Sequence, residues 1–141
     1  MNLLLDTHVL LWFISGDEKL GDKALEAILD DANTVYISTV SIQEIAIKVR
    51  IGKLAIDLEA LAEQIESADF ERLDFDCRHA LVMAGIEQMQ GHKDPFDIML
   101  VAQAVADNLT VVTADARMEP YPMRIIRCKP GRQLSPSTSS A

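Results

Sequence analysis

The stretch "HKDPFDIMLVAQAVADNLTVVTAD", residues 92–115, sets a helix and a strand back to back, and that pairing decides the fold. Asp94 suits an N-cap, where a short carboxylate accepts from the free N–H groups of the first turn. Pro95 suits the next position, which needs no N–H donor. Apolar residues then occupy almost every helical position, the mark of a helix buried nearly all round. Asn108 ends it, because Asn tolerates left-handed backbone. The β-branched run "LTVVT" follows at once and reads as a buried strand. Asp97, in the first turn, has two readings at this point. It favours the positive end of the helix dipole, and it could equally hold a cation.

The rest of the chain extends the alternation. "NLLLD" at 2–6 and "TVYIST" at 34–39 read as strands, and "MRIIRC" at 123–128 as a weaker one. Helical stripes lie between them. Ala24, Leu25, Ile28 and Leu29 share one face; Ile42, Ile45, Ala46 and Val49 another; Leu58, Leu61, Ala62 and Ile65 a third; Ala80, Leu81, Met83 and Ala84 a fourth. Gly52 marks a helix stop. Strands alternating with helices imply an α/β fold, a mostly parallel sheet covered on both faces. There is no internal repeat. "KPGRQLSPSTSSA", 129–141, is Pro/Ser-rich and poor in apolar residues, so a disordered tail is expected after one domain spanning 1–128.

Composition narrows the class. The 141 residues are 49% hydrophobic and 25% charged, enough for one sizeable core in a soluble globular protein. No apolar run approaches the roughly 18 residues that span a bilayer, so no membrane role is expected. The apolar start "MNLLLDTHVLLWFI" lacks a basic leader and contains Asp6 and His8, which favours a buried strand over a signal peptide. Cys77 and Cys128 form no CxxC, and two lone cysteines fit a reducing cytoplasm. The net charge of −9 argues against a protein that coats nucleic acid. It leaves room for an acidic site whose local sign inverts once a cation is bound. Arg117, Arg124, Arg127, Lys129 and Arg132 crowd the C-terminal quarter, opposed there by Glu119.

Four acids fall where a parallel sheet places its sites, at strand C-termini and the helix starts that follow. Asp6 ends the first strand, Glu44 is expected in the first turn after the second, Asp97 opens the buried helix, and Asp115 follows "TVVT". Each has an ordinary explanation alone. Asp6 could cap a helix beginning near Val9, Ser41 and Glu44 match an S-x-x-E capping box, and Asp115 could be a turn residue. Together they would be costly. Two like charges about 4 Å apart repel by roughly 4 kcal/mol at an effective dielectric near 20, against a total domain stability of about 5–15 kcal/mol. A hard divalent cation with oxygen ligands, Mg²⁺ or Mn²⁺, would resolve the conflict and could activate water for attack on a phosphoryl group.

"LLLDTHVLLW", "ISTVSIQEIAIKVRIGKL", "HKDPFDIMLVAQA" and "LTVVTAD", in that order over residues 2 to 127, resemble the PIN-domain ribonucleases, above all the toxin halves of bacterial VapBC toxin–antitoxin pairs. The resemblance implies a three-layer α/β/α fold around a mostly parallel sheet of four or five strands. It implies Mg²⁺- or Mn²⁺-dependent endonucleolytic cleavage of structured RNA, a transfer or ribosomal RNA, and hence inhibition of translation and growth. The family's acidic positions carry onto Asp6, Glu44, Asp97 and Asp115, with Asp6 central and Asp97 beside it. Thr113 matches a hydroxyl near the metal, His8 a contact to substrate or bound water, and Asp94 a helix cap and outer ligand. The implied partners are a small VapB-like antitoxin and a second copy of the chain, in a cytoplasmic hetero-oligomer. Ile98 departs from the arginine common after "DPFD", which bears on a substrate or partner contact.

Lys48, four residues after Glu44, faces it across one helical turn; an ion pair is the plain reading and a phosphate contact the sharper one. His79 and His92 have no partner at ligand spacing and read as surface or helix-end residues. The Met residues at 83, 89, 99 and 118 read as core filler. Other phosphoryl-transfer folds fit poorly. A dehalogenase-type phosphatase wants an acid where His8 stands, and a receiver domain wants a lysine where Asp115 stands. The remaining alternative is a catalytically inactive PIN-like binding module.

Overall fold

Leu3, Leu4 and Leu5 are all fully buried, yet they serve two different cores. Leu3 and Leu5 join one hydrophobic cluster and Leu4 the other. Successive residues of a strand point to opposite faces, so this first strand must be covered on both. Val111 and Val112 divide between the two clusters in the same way. The computed structural model that reveals this describes residues 1–89 and 91–129.

The elements follow one another as β1 (Asn2–Leu5), α1 (Thr7–Ser15), α2 (Asp22–Leu29), β2 (Thr34–Ser38), α3 (Thr39–Arg50), α4 (Leu58–Ser67), β3 (Glu71–Leu73), α5 (Cys77–Ala84), α6 (Pro95–Asp107), β4 (Thr110–Thr113) and β5 (Ile125–Arg127). Single 3₁₀ turns at Glu18–Leu20 and Ala116–Met118 complete the path. The sheet order is β3-β2-β1-β4-β5, with every neighbouring pair parallel. The first cluster takes Val9 and Leu10 of α1, Ala24 and Ile28 of α2, Ile45 of α3 and Leu61 of α4; the second takes Leu100, Val101 and Ala104 of α6. The expected three-layer α/β/α arrangement is therefore present. β1 lies between β2 and β4, so the chain reverses its winding direction there. That reversal opens a crevice at the strand C-termini, the usual place for a site in such sheets. Among the described residues no helix is long and apolar enough to cross a membrane.

Several local expectations need revision. β3 is a fifth strand whose sequence "ERL" carries no strand signal; it is short, largely exposed and held at the sheet edge by pairing with β2. α3 starts at Thr39 with Ser38 as N-cap, its side chain accepting from the N–H of Val40. Ser41 is thus inside the helix and caps nothing; its Oγ accepts from Thr7 Oγ1 at 2.9 Å. Glu44 stands in the second turn, not the first. On α5, Ala80, Leu81 and Ala84 face outward, Leu81 at 77% exposure, and the buried residue is His79. All but the first residue of the expected tail, Arg132 included, lies outside the described residues.

His79 is no surface residue. Asp76 and His79 cap α5 reciprocally: the Asp76 side chain accepts from the His79 N–H, and His79 Nδ1 accepts from the Asp76 N–H. A neutral ring with Nδ1 accepting must carry its proton on Nε2. Nε2 lies 2.8 Å from Asp107 Oδ2 at the end of α6, while Arg78 donates to Asp107 Oδ1 at 2.5 Å. These donors offset the unfavourable placing of an acid at a helix C-terminus. Asp107→Ala leaves the buried imidazole N–H without an acceptor, so chemical denaturation should show a loss of about 1–3 kcal/mol.

One close approach ties the start of α2 to the segment that follows β5. Gly21, between the first 3₁₀ turn and α2, has φ +80° and ψ 160°, and a Cβ built on it would lie 1.8 Å from the carbonyl oxygen of Lys129. The segment leaving β5 passes directly over this glycine. Cys128, in that same segment, is buried in the first cluster.

Candidate active site

The crevice between β1 and β4 is a cleft of about 330 Å³, lined by Asp6, His8, Trp12, Glu44, Lys48, Asp94, Asp97, Ala114, Asp115 and Arg117. All four acids singled out from sequence therefore face one space, each brought by a different element. Asp6 comes from the end of β1, Glu44 from α3, Asp97 from the first turn of α6, and Asp115 from just beyond β4.

Asp6 is anchored first. Its backbone N–H continues the β1–β4 ladder to the carbonyl of Val112 at 3.0 Å. Its Oδ1 accepts from the Thr7 N–H at 2.7 Å, so it caps α1, two residues earlier than its sequence suggested. Oδ2 accepts from Thr113 Oγ1 at 2.6 Å. Thr113 Oγ1 in turn accepts from the Asp115 N–H at 3.0 Å, so one hydroxyl positions two acids. Asp6 is only 6% exposed, and burial holds its carboxyl above the ordinary carboxylate range despite these bonds, with Glu44 adding a smaller push.

Asp97 is placed by its cap. Asp94 Oδ1 accepts from the N–H groups of Phe96 at 2.9 Å and Asp97 at 3.4 Å, with Pro95 leading the helix, so Asp94 caps as its sequence implied. Burial pushes the Asp97 carboxyl up to about 6; the charges of Asp6 and Asp94 push the same way, opposed by the bond from His92. The remaining two acids carry basic partners. Glu44, 5% exposed, pairs with Lys48 Nζ at 3.0 Å, and Asp115 pairs with Arg117 through both Nε and Nη2. Arg117 holds the Asp115 carboxyl below the usual range. Among the described residues neither Asp6 nor Asp97 pairs with a lysine or arginine.

Sequence reasoning missed His92 here. It is 1% exposed, with Nε2 2.9 Å from Asp97 Oδ2 and Nδ1 3.0 Å from the hydroxyl of the buried Tyr121. His92 lies in a loop, where no period reports burial; the only hint was its place two residues before a cap. Single ligand atoms of His92, Asp97 and Asp115 come within 4.8 Å of one another. Both ring nitrogens of His92 are already engaged, however, whereas the cleft offers carboxylate oxygens from four elements. An all-oxygen anionic donor set suits Mg²⁺ or Mn²⁺, and two buried carboxylates without a full countercharge are what such an ion neutralises. His8, exposed, sets its ring 6.1 Å from that of Trp12 at the cleft wall.

Residues 3–122 match the family model of the PIN domain. The chain belongs to the PIN-domain family. Among solved structures, this PIN domain is similar to VapBC2 from Rickettsia felis bound to a DNA fragment from its promoter. That match has a TM-score of 0.70 at 19% identity and covers 90% of this chain and 98% of the other. It is also similar to DNA-bound VapBC from Salmonella typhimurium, with TM-score 0.64, 20% identity and coverage of 90% and 98%. VapBC-5 from Mycobacterium tuberculosis gives 0.58 at 24% identity, covering 89% and 98%. At these identities the likeness establishes the fold. No curated protein matches the chain in sequence. PIN domains are generally nucleases.

Proposed function

We propose that this PIN domain is the toxin of a VapBC-type toxin–antitoxin pair, an Mg²⁺- or Mn²⁺-dependent endoribonuclease that cuts structured RNA, a transfer or ribosomal RNA. The observation that carries the reading is the pair of buried carboxylates, Asp6 and Asp97, sharing a cleft with Glu44 and Asp115. Asp6, Asp97, Glu44 and Asp115 would hold the ion. When bound, it would supply activation of a water and charge stabilisation at a phosphodiester. The chain's own residues do the rest. Thr113 keeps Asp6 and Asp115 in register, and Asp94 sets the start of α6 and hence the place of Asp97. Lys48 and Arg117, part-exposed at the cleft and now paired with Glu44 and Asp115, are suited to turn toward an RNA phosphate once those acids are occupied. His8 and Trp12 offer a ring surface beside them.

The antitoxin partner and a homodimer are part of this reading. Solved structures of this fold include toxin–antitoxin complexes, such as one from Klebsiella pneumoniae at a TM-score of 0.59 and 20% identity. Apolar side chains left at the surface, Ile47 on α3, Ile51 just after that helix and Leu81 on α5, are of the kind such partners cover.

The test is cleavage of structured RNA by purified protein with Mn²⁺ or Mg²⁺, and its loss with a chelator. In cells, expression of the wild type should arrest growth, expression of Asp6→Asn should not, and a small co-encoded protein should co-purify and suppress cleavage. A wild type that cuts no RNA, together with an equally toxic Asp6→Asn, sinks the toxin reading and leaves a binding module.

A further inference from the structure

The cleft has a polar support that the four acids do not explain. Behind Asp97 runs a chain of two buried side chains, His92 and Tyr121, ending in the second hydrophobic cluster. We propose that His92, backed by Tyr121, is a positioning residue that orients the Asp97 carboxylate for cation binding; this rests on the divalent-cation reading above.

The chemistry follows from the donors available. An ionised carboxylate only accepts hydrogen bonds, so His92 Nε2 must carry the proton that meets Asp97 Oδ2. In the neutral ring Nδ1 is then an acceptor, and the hydroxyl of Tyr121 is the donor that satisfies it. Tyr121 is 3% exposed, between Pro120 and Pro122, and its ring lies 5.5 Å from the imidazole. Two hydrogen bonds and one ring contact therefore fix the imidazole, and the imidazole fixes one oxygen of Asp97. The other oxygen remains for an ion. Asp94 sets the backbone of Asp97, whereas His92 sets its side-chain rotation, which a cap cannot do. Outer partners of this kind typically change metal affinity by about 10–100-fold.

Mn²⁺ binding, measured by titration calorimetry and by the electron paramagnetic resonance signal of the bound ion, tests this on the full chain. The variants are His92→Leu, His92→Gln and Tyr121→Phe, with the melting temperature recorded for each. The Gln amide can place an N–H where Nε2 stood, so His92→Gln should bind Mn²⁺ within about threefold of wild type, while His92→Leu should bind about 10–100-fold more weakly. Tyr121→Phe keeps the packing and removes the hydroxyl; it should weaken binding measurably and release the ring from a single tautomer in ¹⁵N spectra. Raising Mn²⁺ should restore cleavage by His92→Leu, which a merely structural lesion would not allow. Unchanged Mn²⁺ affinity in a folded His92→Leu overturns the inference, as does a His92→Gln that loses as much as His92→Leu, which would make His92 itself a ligand. Should His92→Leu not fold, wild-type affinity and a single tautomer in Tyr121→Phe overturn it. A wild type that binds no Mn²⁺ removes the cation reading itself, which separates the two failures.

Discussion

Asp97→Asn should abolish RNA cleavage while making the metal-free protein more stable at neutral pH. Asn keeps the shape of the side chain and an oxygen to accept from His92, so the cap and the packing of α6 survive. What it removes is a negative charge from a buried place beside Asp6. Loss of a ligand to a catalytic ion should cost at least about 10²–10³-fold in rate, roughly 3–4 kcal/mol of barrier at 1.36 kcal/mol per tenfold. The stability effect has the opposite sign. Burial raises the Asp97 carboxyl from its ordinary 3.8 to about 6, so the folded state holds its proton more tightly than the unfolded state does. That makes the metal-free wild type progressively less stable, on Asp97's account, as pH rises from about 4 through about 6, with the full loss above. The advantage of Asp97→Asn over wild type should therefore be absent near pH 4 and grow to on the order of 2 kcal/mol by pH 7, after allowance for partial solvent access. Mn²⁺ should reverse the order at pH 7, stabilising only the wild type, since binding adds stability in proportion to occupancy. Paired denaturation curves at several pH values, with and without Mn²⁺, check each part. A neutral variant no more stable than the wild type at pH 7 would remove the claim that the site is strained when empty of a cation.

Gly21→Ala should be the most damaging small substitution outside the cleft. Two separate objections meet at that residue. Its φ of +80° with ψ of 160° is a region essentially reserved for glycine, costing a side chain about 1–3 kcal/mol. Its Cβ would also lie 1.8 Å from the Lys129 carbonyl oxygen, which is backbone and cannot turn away. Moving that segment would draw Cys128 and Ile126 out of the first cluster, and overpacking of this kind typically costs about 1–3 kcal/mol more. A total loss of about 2–6 kcal/mol should appear as a lowered denaturation midpoint. Gly52→Ala is the control: its φ is +79° but no atom lies within 4 Å of the added Cβ, so it should cost less. Equal losses at the two positions would mean that backbone conformation alone matters and the Lys129 contact does not.

The parts of this architecture legible in the sequence are those with a local physical signature. Asp94 followed by Pro95 and a nearly continuous apolar run could be little other than a capped, buried helix, and α6 is one. Asp6, Asp97 and Asp115 were legible because each lies where a strand ends or a helix starts, and a parallel sheet sends such places to one edge; Glu44 reaches the same edge from one turn further into α3. The failures have equally local causes. β3 is "ERL", held by pairing with β2 rather than by any strand propensity of its own. The apolar stripe expected on α5 points outward, because the helix is tied to α6 by His79 and Asp107, whose pairing across 28 residues leaves no trace in a periodicity. Ser41 and Glu44 matched a capping pattern that the real cap, three residues earlier, made irrelevant. His79 does stand at a helix end, one of its two expected places, but buried there; His92, in a loop, looked solvated because its partners Asp97 and Tyr121 leave no local trace.

The bond from Thr113 to Asp6 joins residues 107 apart, across the two central strands. During synthesis, Asp6 emerges well before β4, the strand that will lie beside β1 on that side. β4 is the later made of this central pair, and parallel pairing at such separation is slow to form. A nascent chain therefore carries Asp6, Glu44 and Asp97 before β4 and Asp115 are made to complete the cleft. The order of strands in the sheet thus makes the cleft one of the last parts of the domain to be assembled.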